Sequence, residues 1–201
     1  ASTITVLAKL YEKKAGKSIE IVSGSSGELY AQIKNGAPFD AFFSADADRP
    51  RKLEEEKAIV EGSRFSYAFG KLVLYSAKEN FVDAKGEVLK GSGFNKLAIA
   101  DPKLAPYGKA AQEALEKLKL WDSLKEKMVQ GQNISQTFQF ISTGNAELGF
   151  IALAQIQKPG AKTSGSLWEV PSELYTPIDQ QAVLLKDNAA AKGFLDFAKE
   201  D

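Results

Sequence analysis

Short apolar runs alternate with amphipathic stretches along almost the whole chain, and this alternation limits the fold more than any other feature. Ile4, Leu7, Ala8, Leu10 and Tyr11 recur at helical spacing until Gly16. Ile19–Val22 then reads as a strand, Ser23–Gly27 as a turn and 28–34 as a helix. Phe39–Phe43 is apolar and strand-like, 49–57 a charged helix, and Leu72–Tyr75 a clear strand inside 65–76. After an irregular segment over 77–95, the pattern predicts strands at Leu97–Ala100, from Val129, at Leu148–Ile151 and at Gln180–Leu185. Helices are expected over Ala110–Leu120, Ile134–Ile141 and Ala189–Lys199, with a loop over Pro159–Ser166. Strands separated by helices of this length predict an α/β fold with parallel-rich sheets covered on both faces.

Two absent residue types narrow the chemistry. The 201 residues contain no cysteine, which removes disulfides, thiol nucleophiles and thiolate metal sites. They contain no histidine, which removes the commonest general base and transition-metal ligand. A non-enzymatic role is therefore expected, with no cofactor and no direct protein–metal ligand. The 26 basic residues balance the 26 acidic ones, so nothing marks the chain as a nucleic-acid binder. The longest apolar stretch, Leu148–Ala154, is far short of the roughly 20 residues that span a bilayer. Ala1-Ser2-Thr3 shows no signal-peptide pattern, and an exported form is expected to have lost its leader.

In α/β sheets ligands gather beyond the carboxyl ends of strands, where the next helix begins. Four such turns are rich in small or polar residues: Ala1-Ser2-Thr3, Ser25-Ser26-Gly27, Asp101–Gly108 and Gly131–Ser135. A helix N-terminus offers unpaired N–H groups and about half a positive charge, so each turn can hold an anion. Each residue set also serves ordinary helix capping, and spacing alone does not say whether the four converge. Gly91-Ser92-Gly93 lacks the third glycine of a dinucleotide fingerprint, and Gly24-Ser25-Ser26-Gly27 is too short for a nucleophile elbow. Asp40, Asp46 and Asp48 cluster near a strand end, but no glycine-punctuated cation loop surrounds them. A carboxylate- or magnesium-dependent enzyme built on Asp40, Asp46 or Asp101 is the reading from another class.

Longer strings carry a resemblance. Ser25-Ser26-Gly27, Tyr30–Asp40 and Phe43-Ser44-Ala45-Asp46 resemble the N-terminal half of the periplasmic molybdate-binding protein family. The likeness continues through Leu97–Pro102, Ala105-Pro106-Tyr107-Gly108, Leu120–Leu124, Gln132–Gln136 and Thr143–Phe150. It implies a type II periplasmic binding fold: lobe I from 1–75 plus 178–201, lobe II from 76–177, and a ligand cleft between them. It implies an oxyanion, molybdate or tungstate, held by serine hydroxyls and backbone N–H groups and delivered to the membrane permease of an ABC importer. It further implies a monomer in the periplasm, in free or lipid-anchored form.

Matched by position, the resemblance implies a site of Ser2, Ser26, Tyr107, Ile134 and Ala152. Ala152 stands where many relatives carry a tyrosine, so the site is expected to do without that hydroxyl or to use a neighbour such as Gln155 or Ser135. Relatives begin with a strand leading into the serine loop and continue past the last helix. Terminal residues beyond those given are therefore expected. The same fold with sulfate, phosphate or a small organic anion is the alternative that Ala152 motivates.

Overall fold

A computed structural model describes residues 3–157 and 160–200. The chain forms two compact units, one of Ala1–Phe69 with Asp179–Asp201 and one of Gly70–Ile178. These units divide at Phe69/Gly70 and Ile178/Asp179, beside the expected 75/76 and 177/178. Leu72–Ser76 is a strand paired on one side with Leu148–Ala152 and on the other with Ser166–Glu169, so both its edges are committed to the second unit. Among the described residues no helix is long and apolar enough to cross a membrane.

The first unit opens with α1 (Thr3–Ala15), which Gly16 terminates at φ +67°, its N–H returning to Glu12 O at 2.9 Å. α2 (Ser26–Lys34) starts two residues earlier than the sequence pattern indicated, because Ser25 and Glu28 form a reciprocal capping box. β1 (Ala41–Ser44) and α3 (Asp48–Glu55) follow. β2 (Phe65–Gly70) and the later β8 (Ile178–Leu184) complete a three-stranded sheet in the order β1-β8-β2. β1 and β8 run antiparallel, whereas the parallel pairs β4–β5 and β4–β6 lie in the second unit. Phe42, Leu53 and Val183 form a core here, packed by Leu29, Tyr30, Ile33, Ile59 and Leu185. α7 (Ala189–Glu200) returns to α1, with Tyr11 5.6 Å from the rings of both Phe194 and Phe197.

Ile19–Val22 corrects one expectation. It forms no strand, and Ile21 and Val22 remain 38% and 49% exposed. β propensity reflects packing on a pleated, half-buried surface. Among the described residues no neighbouring strand supplies that surface.

The second unit holds a five-stranded sheet in the order β5-β4-β6-β3-β7. The strands are β3 (Leu72–Ser76), β4 (Leu97–Ala100), β5 (Met128–Gly131), β6 (Leu148–Ala152) and β7 (Ser166–Glu169). β5, β4 and β6 are mutually parallel, while β3 joins β6 and β7 antiparallel. β7 falls where the sequence pattern foresaw no strand. Its four residues, Ser-Leu-Trp-Glu, are too few to establish a period.

Every residue of β3, β4 and β6 is buried, as expected for strands covered on both faces. α4 (Pro106–Lys117) follows β4, and the single turn α5 (Trp121–Leu124) precedes β5. α6 (Ile134–Ser142) follows β5. α4 begins four residues before the expected Ala110, because Pro106 at N1 opens the helix at no cost in hydrogen bonds. Val73, Tyr75, Ala98, Ile141, Ala146, Ile151 and Ile156 form one core cluster, with Ile134, Phe138 and Leu153 packed on it.

Candidate functional site

In the first unit the site centres on Ser26, the first residue of α2. Its neighbour Ser25 is consumed locally. The Ser25 hydroxyl donates to Glu28 Oε2 at 2.9 Å and accepts the Glu28 N–H at 3.2 Å. Ser26 is 6% exposed, and its Oγ accepts the Ala45 N–H at 2.9 Å. That bond ties the start of α2 to the turn after β1. It occupies a lone pair of the hydroxyl and leaves its proton as the donor, which is the polarity an anion requires.

The carboxylates near this turn do structural work. Asp46 accepts the Arg49 N–H at 3.1 Å and the Ser44 hydroxyl at 2.9 Å, and it pairs with the Arg49 guanidinium. Asp48 pairs with Arg51 at 3.3 Å. Asp101, in the other unit, folds its carboxylate back on the Lys103 N–H at 2.9 Å. These bonds fix turns and a helix start, which is how carboxylates stabilise such places. Among the described residues no group of three or more acidic side chains is arranged to hold a metal ion.

The second unit brings three sequence-predicted positions to one edge. β5, β4 and β6 are adjacent and parallel, so their carboxyl ends lie together. Tyr107 follows β4, Ile134 follows β5 and Ala152 ends β6. The Asp101 N–H bonds to Gly131 O at 2.8 Å and ties the first two strand ends. Convergence that spacing could not reveal is thus a consequence of strand order.

Tyr107 is the second residue of α4, whose N-terminus carries no side-chain cap. Gly108 allows the helix to start this close to the strand. A Cβ there would stand 2.1 Å from Ala100 O, inside any permitted contact. At α6 the Asn133 side chain accepts the Gln136 N–H at 2.8 Å, and the Thr137 N–H goes to Asn133 O at 3.1 Å. The N–H groups of Ile134 and Ser135 have no partner among the described residues. Ile134 also packs its side chain on the core, which anchors the first turn while its N–H stays at the helix end.

Ala152 is brought to the same edge but supplies no donor. It has no hydroxyl, and its N–H is taken by Gln155 Oε1 at 3.0 Å. Gln155, one of the neighbours considered in place of a tyrosine hydroxyl, donates through Nε2 to Ile134 O at 3.1 Å. A bond between residues 21 apart leaves no mark in sequence spacing. Ser2 lies outside the described residues.

The Ser26 hydroxyl in the first unit, and separately the starts of α4 and α6 in the second, offer neutral hydrogen-bond donors. Such groups replace the hydration shell of an anion and select it by size and geometry, without a counter-charge. None of them titrates near neutral pH. A two-unit α/β protein carrying donors of this kind belongs with the proteins that capture solutes.

The family model described as "Bacterial extracellular solute-binding protein" matches residues 1–201, and the chain belongs to that family. Within it, the chain is 52% identical over 196 residues to the molybdate-binding protein ModA of Azotobacter vinelandii, covering 96% of this chain and 78% of the relative. It is 50% identical, again over 196 residues, to ModA of Rhodobacter capsulatus, with 96% and 76% covered. The solved structure of an Azotobacter vinelandii periplasmic molybdate-binding protein superposes with a TM-score of 0.93 at 45% identity, covering 98% of this chain and 87% of that one. Iron-bound HitA from Pseudomonas aeruginosa, at 17% identity and a TM-score of 0.67, shares the fold.

Proposed function

We propose that this protein binds molybdate, with tungstate as its near equivalent, and hands it to the membrane permease of an ABC importer. The observation that carries this reading is the meeting of two helix N-termini at one edge of the β5-β4-β6 trio, with donors that bear no charge. In this reading Ser26 donates its hydroxyl proton, and Tyr107 and Ile134 donate their N–H groups. The ion is not a cofactor but the cargo, and no bond of it is broken.

An ion that binds one arrangement of the protein better than another shifts it towards that arrangement, by as much as its affinity differs between them. That difference gives the permease a surface by which to tell loaded from empty protein. The protein acts in the periplasm as a monomer, in free or lipid-anchored form.

Isothermal titration of ion-free protein with molybdate, tungstate, sulfate and phosphate tests the assignment. Tight binding of the first two, with little heat from the others, is the expected result. Ala152, which offers no side-chain donor at the end of β6, supports one further reading in which a larger organic oxyanion occupies the same donors. Displacement of molybdate by such an anion at equal affinity would select it.

A further inference from the structure

The amide of Gln155 joins two of the positions just described. It stands in the turn Leu153–Gln155 directly after β6. Its Oε1 accepts the Ala152 N–H at 3.0 Å and its Nε2 donates to Ile134 O at 3.1 Å. A primary amide is planar, with donor and acceptor rigidly apart. One side chain thereby sets the distance between the end of a strand and the first peptide of α6.

That peptide matters for the site. The carbonyl of Ile134 and the N–H of Ser135 belong to the same plane, so fixing the first aims the second. A carbonyl that accepts a hydrogen bond also polarises its own amide, and the N–H becomes a stronger donor. Meanwhile Gln155 removes the Ala152 N–H from the set that an anion can use.

We propose that Gln155 is a positioning residue of the oxyanion site: it bolts the end of β6 to the first turn of α6 and aims the N–H of Ser135, next to that of Ile134. The inference rests on the oxyanion-binding reading above. Gln155 does not itself touch the ion. Its effect is on the direction and strength of the Ser135 donor, beside a strand end whose own N–H is taken.

Two variants test it, each measured against the parent by molybdate titration and by thermal unfolding without ion. Gln155→Met has a similar length and makes neither bond. It is expected to weaken molybdate binding roughly ten- to hundredfold, the range seen when a group that orients a ligand is removed. Gln155→Glu keeps the acceptor for the Ala152 N–H but turns a carboxylate towards Ile134 O at neutral pH. Once protonated it restores the donor, so its affinity relative to the parent at the same pH should recover as pH falls towards about 4.3. A group that merely filled space would show no such recovery.

A parent protein that binds no molybdate would end the functional reading before the variants are compared. A parent that binds, with Gln155→Met equal to it, would overturn the role of Gln155 alone. So would a Gln155→Glu deficit that stays constant with pH, including the case in which Gln155→Met fails to fold.

Discussion

The phenol oxygen of Tyr107 lies 2.2 Å from the point that a Cβ on Gly70 would occupy, with Cζ at 2.8 Å. Gly70 is the residue at which the chain enters the second unit, and Ile178, where it leaves, has Cγ2 3.1 Å from the same point. The ring of Tyr107 therefore stands against Gly70, while its backbone opens α4 at the proposed site. Tyr107 is 6% exposed, so the ring has little room to yield.

Gly70→Ala should force that ring to move. Overpacking of this kind costs about 1–3 kcal/mol, read as a lower urea midpoint with an unchanged slope. Because the ring and the N–H belong to one residue, molybdate affinity should fall as well. Adding Tyr107→Phe removes the closest atom, and part of the lost stability should return. Full stability in Gly70→Ala alone would mean that the ring relocates freely.

Ser26→Ala separates two effects of one hydroxyl. Loss of the proton donated to the ion should weaken binding by about 1.5–3 kcal/mol, as for other hydrogen bonds to charged groups. Loss of the acceptor leaves the Ala45 N–H without its 2.9 Å partner, at a further cost of about 1–3 kcal/mol in stability. Titration reads the first and denaturant unfolding of the ion-free protein the second. An unchanged Kd removes Ser26 from the site.

The elements with several buried apolar residues were legible in the sequence. Leu97–Ala100 and Leu148–Ala152 are buried throughout, and their uniform apolarity showed it. Ile19–Val22 has the same composition but no pairing strand, and propensity carries no information about partners. β7 was missed because a four-residue edge strand is too short to show a period. At the site, the residue types at Ser26, Tyr107 and Ile134 were readable as turns before helices. The grouping of Tyr107 with Ile134 depended on the order β5-β4-β6, and the Gln155–Ile134 bond on contacts 21 residues apart. Neither leaves a local signature.

Gly108→Ala should be among the most damaging single-methyl additions to the second unit. The new carbon would lie 2.1 Å from Ala100 O, 2.7 Å from its carbonyl carbon and 2.9 Å from the Asp101 carbonyl carbon. These are backbone atoms of the β4 end, which the Asp101–Gly131 bond holds in place, so no side chain can swing aside. A loss of about 3 kcal/mol or more is expected, together with loss of ion binding, because α4 cannot keep its start. Parent-like melting temperature and affinity in this variant would show that the start of α4 can shift without penalty.

Asp83 sets a pH dependence that is independent of the ion. Its carboxylate accepts the N–H of Val88 at 2.9 Å, of Glu87 at 3.0 Å and of Lys85 at 3.1 Å, closing the loop ahead of the short helix Glu87–Lys90. The Val88 bond is the largest cause that holds its pKa below the ordinary carboxylate value, and the other backbone donors add to it. A depressed pKa means that the folded state favours the charged form. The stabilisation is therefore complete above the unfolded value, about 3.9, and is lost as pH falls through the lower folded value. Asp83→Asn should lower the melting temperature of the ion-free protein at pH 7, and the gap to the parent should narrow as the parent carboxylate is protonated in acid. A gap that stays constant down to acid pH would place the effect of Asp83 in packing instead of charge.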